Sequence, residues 1–244
     1  MRTEEFIQLV SRETEENERF EELRKGLPIG VDEGGKILLA QKQEKTLTVR
    51  NTCVTGAGRT NYIRRLIMTT SCLYEKNEAC FFILSPKLEY GDLLRLHSVD
   101  VTVPYIRDKK DLSEGVEALK ELILMRETGV GYPKLFLVLD GLETLPECNK
   151  DEDLAEYRDI YKLLMRKEGF EIITGVELTK SIFAGYPGAF LGIGNCLITV
   201  EEDGKADVTY VSDDSSLSLP ISMECPSSPS VGESIVFLNS IAAE

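Results

Sequence analysis

Apolar positions along the chain follow two alternating rhythms. TLTVRNTCV (46–54), ACFFILS (79–85), VDVTVPYI (99–106), KLFLVLD (134–140) and FEIITGV (170–176) are short runs rich in β-branched and aromatic residues. Runs of this length and composition mark strands, and the unbroken ones mark strands buried on both faces. Between them lie segments with helical spacing: 60–74, where Ile63, Leu66, Ile67 and Leu73 recur, then 111–129 and 153–169. Within 111–129, Asp111 and Glu114 have capping-box spacing and Gly129 can close the far end. Strands separated by helices predict βαβ units and a mainly parallel sheet.

The two ends read differently. Residues 1–26 form a charged helical pattern, with Phe6, Leu9 and Val10 on one stripe, continued after a polar gap by Phe20 and Leu23. Gly26 and Pro28 stop it. It is an arm for packing on the core, or on a neighbouring subunit, of a main domain over 27–244. LPIGVDEGGKILLA predicts a hairpin turning at Gly34-Gly35. After Phe190, NCLITVEED, ADVTYVS and ESIVFLN read as strands split by Gly, Ser, Asp and Pro, so the sheet is expected to finish in antiparallel edge strands. The stretch 213–230 reads as a loop. There is no internal repeat.

Composition narrows the field. A chain of 244 residues, 42% of them hydrophobic, suits one large α/β domain with a small appendage. No apolar run approaches the roughly 20 residues of a membrane span, and MRTEEFIQLV lacks the pattern of a signal peptide. Six cysteines are scattered without a CxxC pair and His97 stands alone, reading as a surface residue. That excludes a zinc centre or a disulfide framework as first readings and favours reduced thiols in the cytoplasm. The net charge of −14 makes DNA a poor partner and proteins or small molecules better ones.

The candidate chemistry sits in CVTGAGRT, between a predicted strand and a predicted helix. A phosphate-binding loop needs that context, because turn N–H groups and the helix dipole face the phosphates. Against GxxxxGK[ST], Cys53 takes the first glycine, Gly58 the second, Arg59 the lysine position and Thr60 the hydroxyl. The candidate phosphate contacts are Thr55, Gly56, Ala57, Gly58, Arg59, Thr60 and Asn61, with Thr60 also a candidate Mg²⁺ ligand. Arginine is planar and forked and does not copy the reach of lysine. An ordinary strand-to-helix turn is the bland alternative. A dinucleotide site is another, but the third glycine of GxGxxG falls on Asn61 and no acidic residue ends the next strand. Cys53 reads as a small buried replacement for glycine, with a reactive thiol as the alternative.

Further segments, in order, resemble FtsK/SpoIIIE-type P-loop ATPase domains. ILSPKLEY is similar to their Asp-Pro-Lys segment, with Ser85 in place of Asp and then Pro86 and Lys87. LFLVLDGLETL resembles their Walker B strand, which makes Asp140 a metal-site residue. LPIGVDEGG, GFEIITGVE and PSVGESIVFLN resemble the segment before the P-loop, the strand that normally leads to a sensor glutamine, and the closing segment. The resemblance covers about residues 27–240, and the terminal domains of type VII secretion coupling ATPases, EssC/EccC-like, are the most similar branch. It implies a RecA-like P-loop three-layer α/β sandwich with a mainly parallel sheet and antiparallel edge strands. It also implies a site for ATP and Mg²⁺, with Lys87 as a further nucleotide contact or else a solvated lysine.

The same resemblance implies impaired hydrolysis. Asp140 is followed by Gly141 where the family has its glutamate base, and Glu177 stands at the sensor position. Glu143 and Glu177 are the remaining candidate catalytic carboxylates, although Glu143 also reads as part of a cap at a helix start. ATP and Mg²⁺ binding are therefore expected to be weak. Neighbouring ATPase domains and a secreted substrate are the implied partners, with membrane contact only through a larger assembly. An oligomer would need an arginine in trans, for which Arg126 and Arg166 are the candidates.

Overall fold

The computed structural model describes residues 2–15, 20–40, 50–127, 133–145, 170–175, 196–201, 205–211, 216–221 and 239. The amino-terminal pattern forms two helices, α1 (Thr3–Glu15) and α2 (Phe20–Gly26), rather than one. Each buries its own part of the stripe, Phe6, Ile7 and Val10 from α1 and Leu23 from α2. Leu27, at φ 54°, turns the chain out of α2. β1 (Pro28–Val31) and β2 (Ile37–Leu39) then pair as an antiparallel hairpin. Asp32 Oδ1 accepts the N–H groups of Gly34 and Lys36, each at 2.9 Å, and Gly35 supplies the left-handed residue at φ 80°.

The main sheet is built from β3 (Arg50–Gly56), β4 (Ala79–Leu84), β5 (Asp100–Thr102), β6 (Lys134–Asp140), β7 (Phe170–Gly175), β8 (Cys196–Val200), β9 (Ala206–Val211) and β10 (Ser216–Ile221). Their spatial order is β10-β9-β8-β3-β7-β6-β4-β5. From β8 through β5 every pairing is parallel, and β9 and β10 close the sheet antiparallel. The switch therefore falls between β8 and β9. β7 stands between β3 and β6, so the turn after β3 and Asp140 at the end of β6 are one strand apart at the same edge of the sheet.

Period-2 alternation divides the core into two layers. Phe81, Ile83, Phe136, Val138 and Ile173 point to one side, where α3 (Arg59–Ser71), α1 and the hairpin pack. Phe82, Leu84, Leu135, Leu137, Leu139 and Ile172 point to the other, against Leu112, Val116, Leu119 and Ile123 of α4 (Lys109–Glu127). The result is the expected three-layer α/β sandwich. Tyrosine hydroxyls fasten the hairpin to it: Tyr62 donates to Ile29 O at 2.6 Å and Tyr210 to Leu39 O at 2.7 Å.

Three local expectations are corrected. The stretch 213–230 is not all loop, because β10 pairs with β9; its Leu217, Leu219 and Ile221 alternate, and Pro220 is tolerated on an edge strand. The strand expected over 99–106 is short, since β5 pairs only with β4 and Pro104 offers no N–H to extend it. The capping residue of α4 is Asp108, which accepts the Asp111 N–H at 3.0 Å, while the Asp111 carboxylate turns back to Arg107. The helix expected over 153–169, the strand over 233–239 apart from Asn239, and Gly129 lie outside the described residues.

Candidate functional site

β3 ends at Gly56, and the turn Gly56-Ala57-Gly58 leads straight into α3. Two features fix this turn. Gly56 has φ 92°, and a Cβ placed on it would stand 2.0 Å from Val200 O, so the backbone of β8 passes where any side chain would lie. Gly58, at φ 76°, caps α3 in the left-handed conformation with no side-chain cap. Gly56, Ala57 and Gly58 are exposed, whereas Thr55 is buried beneath them. The local shape is a glycine turn at a helix start, open to solvent, as a phosphate loop requires.

The side chains after the turn point elsewhere. Arg59 is buried, and its Nε lies 3.2 Å from Asp140 Oδ1, an ion pair without the alignment of a hydrogen bond. Thr60 Oγ1 donates to Asp140 Oδ2 at 2.9 Å. Asn61 Oδ1 accepts from Arg64 at 3.5 Å. Arg64 also pairs with Asp92, which balances that charge locally.

Lys87 enters from the end of β4. Ser85 Oγ accepts its backbone N–H at 3.2 Å, and its ammonium donates to Thr60 Oγ1 at 2.5 Å and to Asp140 Oδ2 at 3.0 Å. Tyr90, fully buried, donates its hydroxyl to the same Oδ2 at 2.9 Å. Burial, then the charge and hydrogen bond of Asp140, push the Tyr90 phenol well above its ordinary pKa, so it stays a donor. Asp140 itself has no exposed surface. Its Oδ2 thus accepts from Thr60, Lys87 and Tyr90, one donor more than the two lone pairs of a carboxylate oxygen, so that oxygen is saturated.

Two glycines make this packing feasible. Gly141, at φ 73°, leaves space for Lys87, since a Cβ there would stand 2.7 Å from Lys87 Cε. A Cβ on Gly175, at the end of β7, would stand 2.2 Å from Asp140 Oδ1 and 2.7 Å from Ile63 Cδ1. Sequence reasoning missed Tyr90, the role of Gly141 as space for a lysine, and Gly175. Tyr90 does close the ILSPKLEY segment, but no spacing rule points it across two elements to Asp140.

The turn, Arg59, Thr60, Lys87 and Asp140 are brought together as the sequence suggested. Glu143 falls on the 3₁₀ turn Leu142–Thr144, and Arg126 lies in α4. Glu177 and Arg166 lie outside the described residues. Cys53 is buried, and burial pushes its thiol up to about 12 against the pull of Arg59, which suits an inert packing residue.

Mg²⁺ takes six oxygens at about 2.0–2.1 Å in near-octahedral geometry. Beside Thr60 and Asp140, where the resemblance would put such an ion, the Lys87 ammonium bonds to both oxygens, which are themselves joined by a hydrogen bond. Two cations, Arg59 and Lys87, already lie within ion-pair distance of the Asp140 carboxylate. Among the described residues no group of three or more His, Cys, Asp or Glu is placed to hold a metal. The residues in this arrangement do not fit a divalent ion.

No family model matches the sequence, and no curated protein matches it. Solved structures match by fold. A protein described as an ATPase superposes with a TM-score of 0.54 at 14% identity, over 85% of this chain and 94% of its own. EssC (ATPases 2 and 3) from Geobacillus thermodenitrificans matches with 0.54 at 14%, over 80% of this chain and 40% of EssC. Thermomonospora curvata EccC (ATPases 2 and 3), in complex with a signal sequence peptide, matches with 0.55 at 16%, over 83% of this chain and 41% of EccC. The chain spans about two fifths of those two structures. At these identities the likeness establishes the fold, which is that of the P-loop ATPase domains of EssC and EccC. No described helix is long and apolar enough to cross a membrane.

Proposed function

We propose that this chain is a hydrolysis-deficient FtsK/SpoIIIE-like domain serving as a regulatory or substrate-interaction module of a secretion or translocation machine. One observation carries the reading: Asp140, the Walker B carboxylate by position, is enclosed and neutralised by Arg59, Lys87, Thr60 and Tyr90. Hydrolysis of a phosphoanhydride by this fold needs a metal beside that carboxylate and a base to orient water. Here Gly141 follows Asp140 where the base would stand. Each lost contribution of this kind costs roughly 10²–10³ in rate, and such losses are not simply additive. Nucleotide at the exposed turn is held weakly, through backbone N–H groups, with little help from Mg²⁺.

The module reading draws on the neighbours. EccC is described with a bound signal sequence peptide, and both EssC and EccC carry several ATPase domains. By analogy the partners of this chain are neighbouring ATPase domains and a secreted protein, on the cytoplasmic side and reaching the membrane only through a larger assembly. The net charge of −14 agrees with a protein rather than DNA as cargo.

The test is steady-state ATP turnover by the purified chain, with Asp140→Ala as control. The proposal predicts no turnover above background. Turnover above roughly 1 s⁻¹ that Asp140→Ala abolishes would establish a working motor instead. The open turn and intact Thr60 also favour a non-hydrolysing nucleotide sensor, whose signature is a melting temperature raised by ATP without turnover.

A further inference from the structure

We infer that Lys87 is a built-in replacement for a divalent ion: its ammonium joins Thr60 to Asp140 and keeps metal out of the site. The inference rests on reading the Gly56–Thr60 turn as a phosphate-binding loop and narrows it. What the loop accepts is phosphate without a metal, such as a nucleoside triphosphate stripped of its Mg²⁺.

Position is the first reason. The ammonium lies within hydrogen-bond distance of both oxygens that a loop-bound ion would use, Thr60 Oγ1 at 2.5 Å and Asp140 Oδ2 at 3.0 Å. The fold, rather than a chance rotamer, brings it there. β4 and β6 run parallel with Leu84 paired to Leu139, so the chain leaving β4 passes over the end of β6. The Ser85 hydroxyl holds the Lys87 N–H as it does so.

Space is the second. Gly141 is the residue whose side chain would collide with Lys87, and it is also the residue standing where a base would be. A side chain at 141 and Lys87 in its present place exclude each other, so the glycine there is what lets the lysine reach Asp140.

Charge is the third. Asp140 is fully buried, and its single negative charge already faces Arg59 and Lys87. A divalent cation entering here would meet two cations that already hold the carboxylate, and would have to displace one of them to reach it.

The test uses Mn²⁺ as the metal probe, followed by electron paramagnetic resonance, on wild type, Lys87→Met and Lys87→Gln, with circular dichroism confirming that each variant is folded. Calorimetry with ATP is run in EDTA and in excess Mg²⁺. Wild type is expected to bind no Mn²⁺ and to bind ATP equally in both buffers. The variants are expected to gain Mn²⁺ binding and an ATP affinity that Mg²⁺ raises by about tenfold, or 1.4 kcal/mol. Mn²⁺ binding by wild type, or an ATP affinity that Mg²⁺ raises tenfold in wild type, overturns the inference. So do two folded variants that still exclude Mn²⁺. Gain of Mn²⁺ binding by the variants with no ATP binding by any protein supports the ion replacement and removes the phosphate-loop reading. Mg²⁺-dependent turnover of ATP by wild type overturns it as well, because hydrolysis needs the metal that Lys87 is inferred to exclude.

Discussion

Gly141 and Lys87 compete for one volume: a Cβ on the glycine would stand 2.7 Å from the lysine's Cε and 3.4 Å from its Nζ. The residue after Asp140 and a lysine from the adjoining strand end are therefore linked, although 54 positions separate them.

Gly141→Ala is expected to push Lys87 off Asp140, because the tip of a lysine yields more readily than a strand end. The left-handed φ of 73° adds about 1–2 kcal/mol for a residue with a Cβ, which in a chain of this size lowers the melting temperature by about 2–8 °C. The sharper check is a double-mutant cycle with Lys87→Met. The lysine substitution should cost less in the Gly141→Ala background, with a coupling of about 0.5–3 kcal/mol. Strict additivity would mean that the two residues do not interact.

Asp140→Ala removes the carboxylate that Arg59 and Lys87 share and leaves the buried Tyr90 hydroxyl without its acceptor. Breaking a buried ion pair by removing one partner costs about 3–5 kcal/mol, and the access of Lys87 to solvent argues for the lower end. Urea unfolding measures this directly. Adding Lys87→Met to Asp140→Ala should restore part of the loss, because one uncompensated cation goes with it.

Gly56→Ala and Gly35→Ala separate backbone strain from collision. Both glycines have positive φ, 92° and 80°, but a Cβ on Gly35 meets nothing within 4 Å while one on Gly56 meets Val200 O at 2.0 Å. Gly35→Ala should cost about 1–2 kcal/mol, the conformational penalty alone. Gly56→Ala should cost more than that and weaken ATP binding, because the turn and β8 must move apart. Equal losses for the two would show that the close approach of Gly56 to β8 carries no energy.

Cys53 makes stability depend on alkaline pH. Burial raises its folded thiol from 9.0 to about 12, so the folded state holds a proton that the unfolded chain releases. Stabilisation is complete below the unfolded value of 9.0 and is lost as pH rises through about 12. Relative to Cys53→Ala, the wild-type advantage in urea should shrink by about 1 kcal/mol between pH 9 and pH 10. Iodoacetamide at pH 8 should label Cys53 in the folded protein only at the rate of unfolding. Rapid labelling there would restore the reactive-thiol reading.

Much of the sheet was legible in the chain. The continuous runs ACFFILS and KLFLVLD became β4 and β6 because strands covered on both faces need apolar residues at every position, and that signal is strong. β10 was not legible, since Ser, Asp and Pro around 213–230 outweighed the weak alternation of Leu217, Leu219 and Ile221, and only pairing with β9 made it a strand. The start of α4 slipped from Asp111 to Asp108 because several acidic residues compete to cap and local spacing does not choose among them.

The sequence alone determined the order of elements, the glycine turn opening α3, and the residue types at Arg59, Gly141 and Ser85 on which the reading of an altered phosphate loop rests, because each is a matter of residue type at a local position. Only the tertiary structure decided what those residues do. That Arg59 turns to Asp140, that Lys87 reaches both Asp140 and Thr60, and that Tyr90 caps the same oxygen depend on strand order and parallel register. These bring the ends of β3, β4 and β6 to one edge of the sheet across gaps of 27 and 53 residues. Periodicity carries no information about such meetings, because it records which face a residue takes and not which distant residue shares that face.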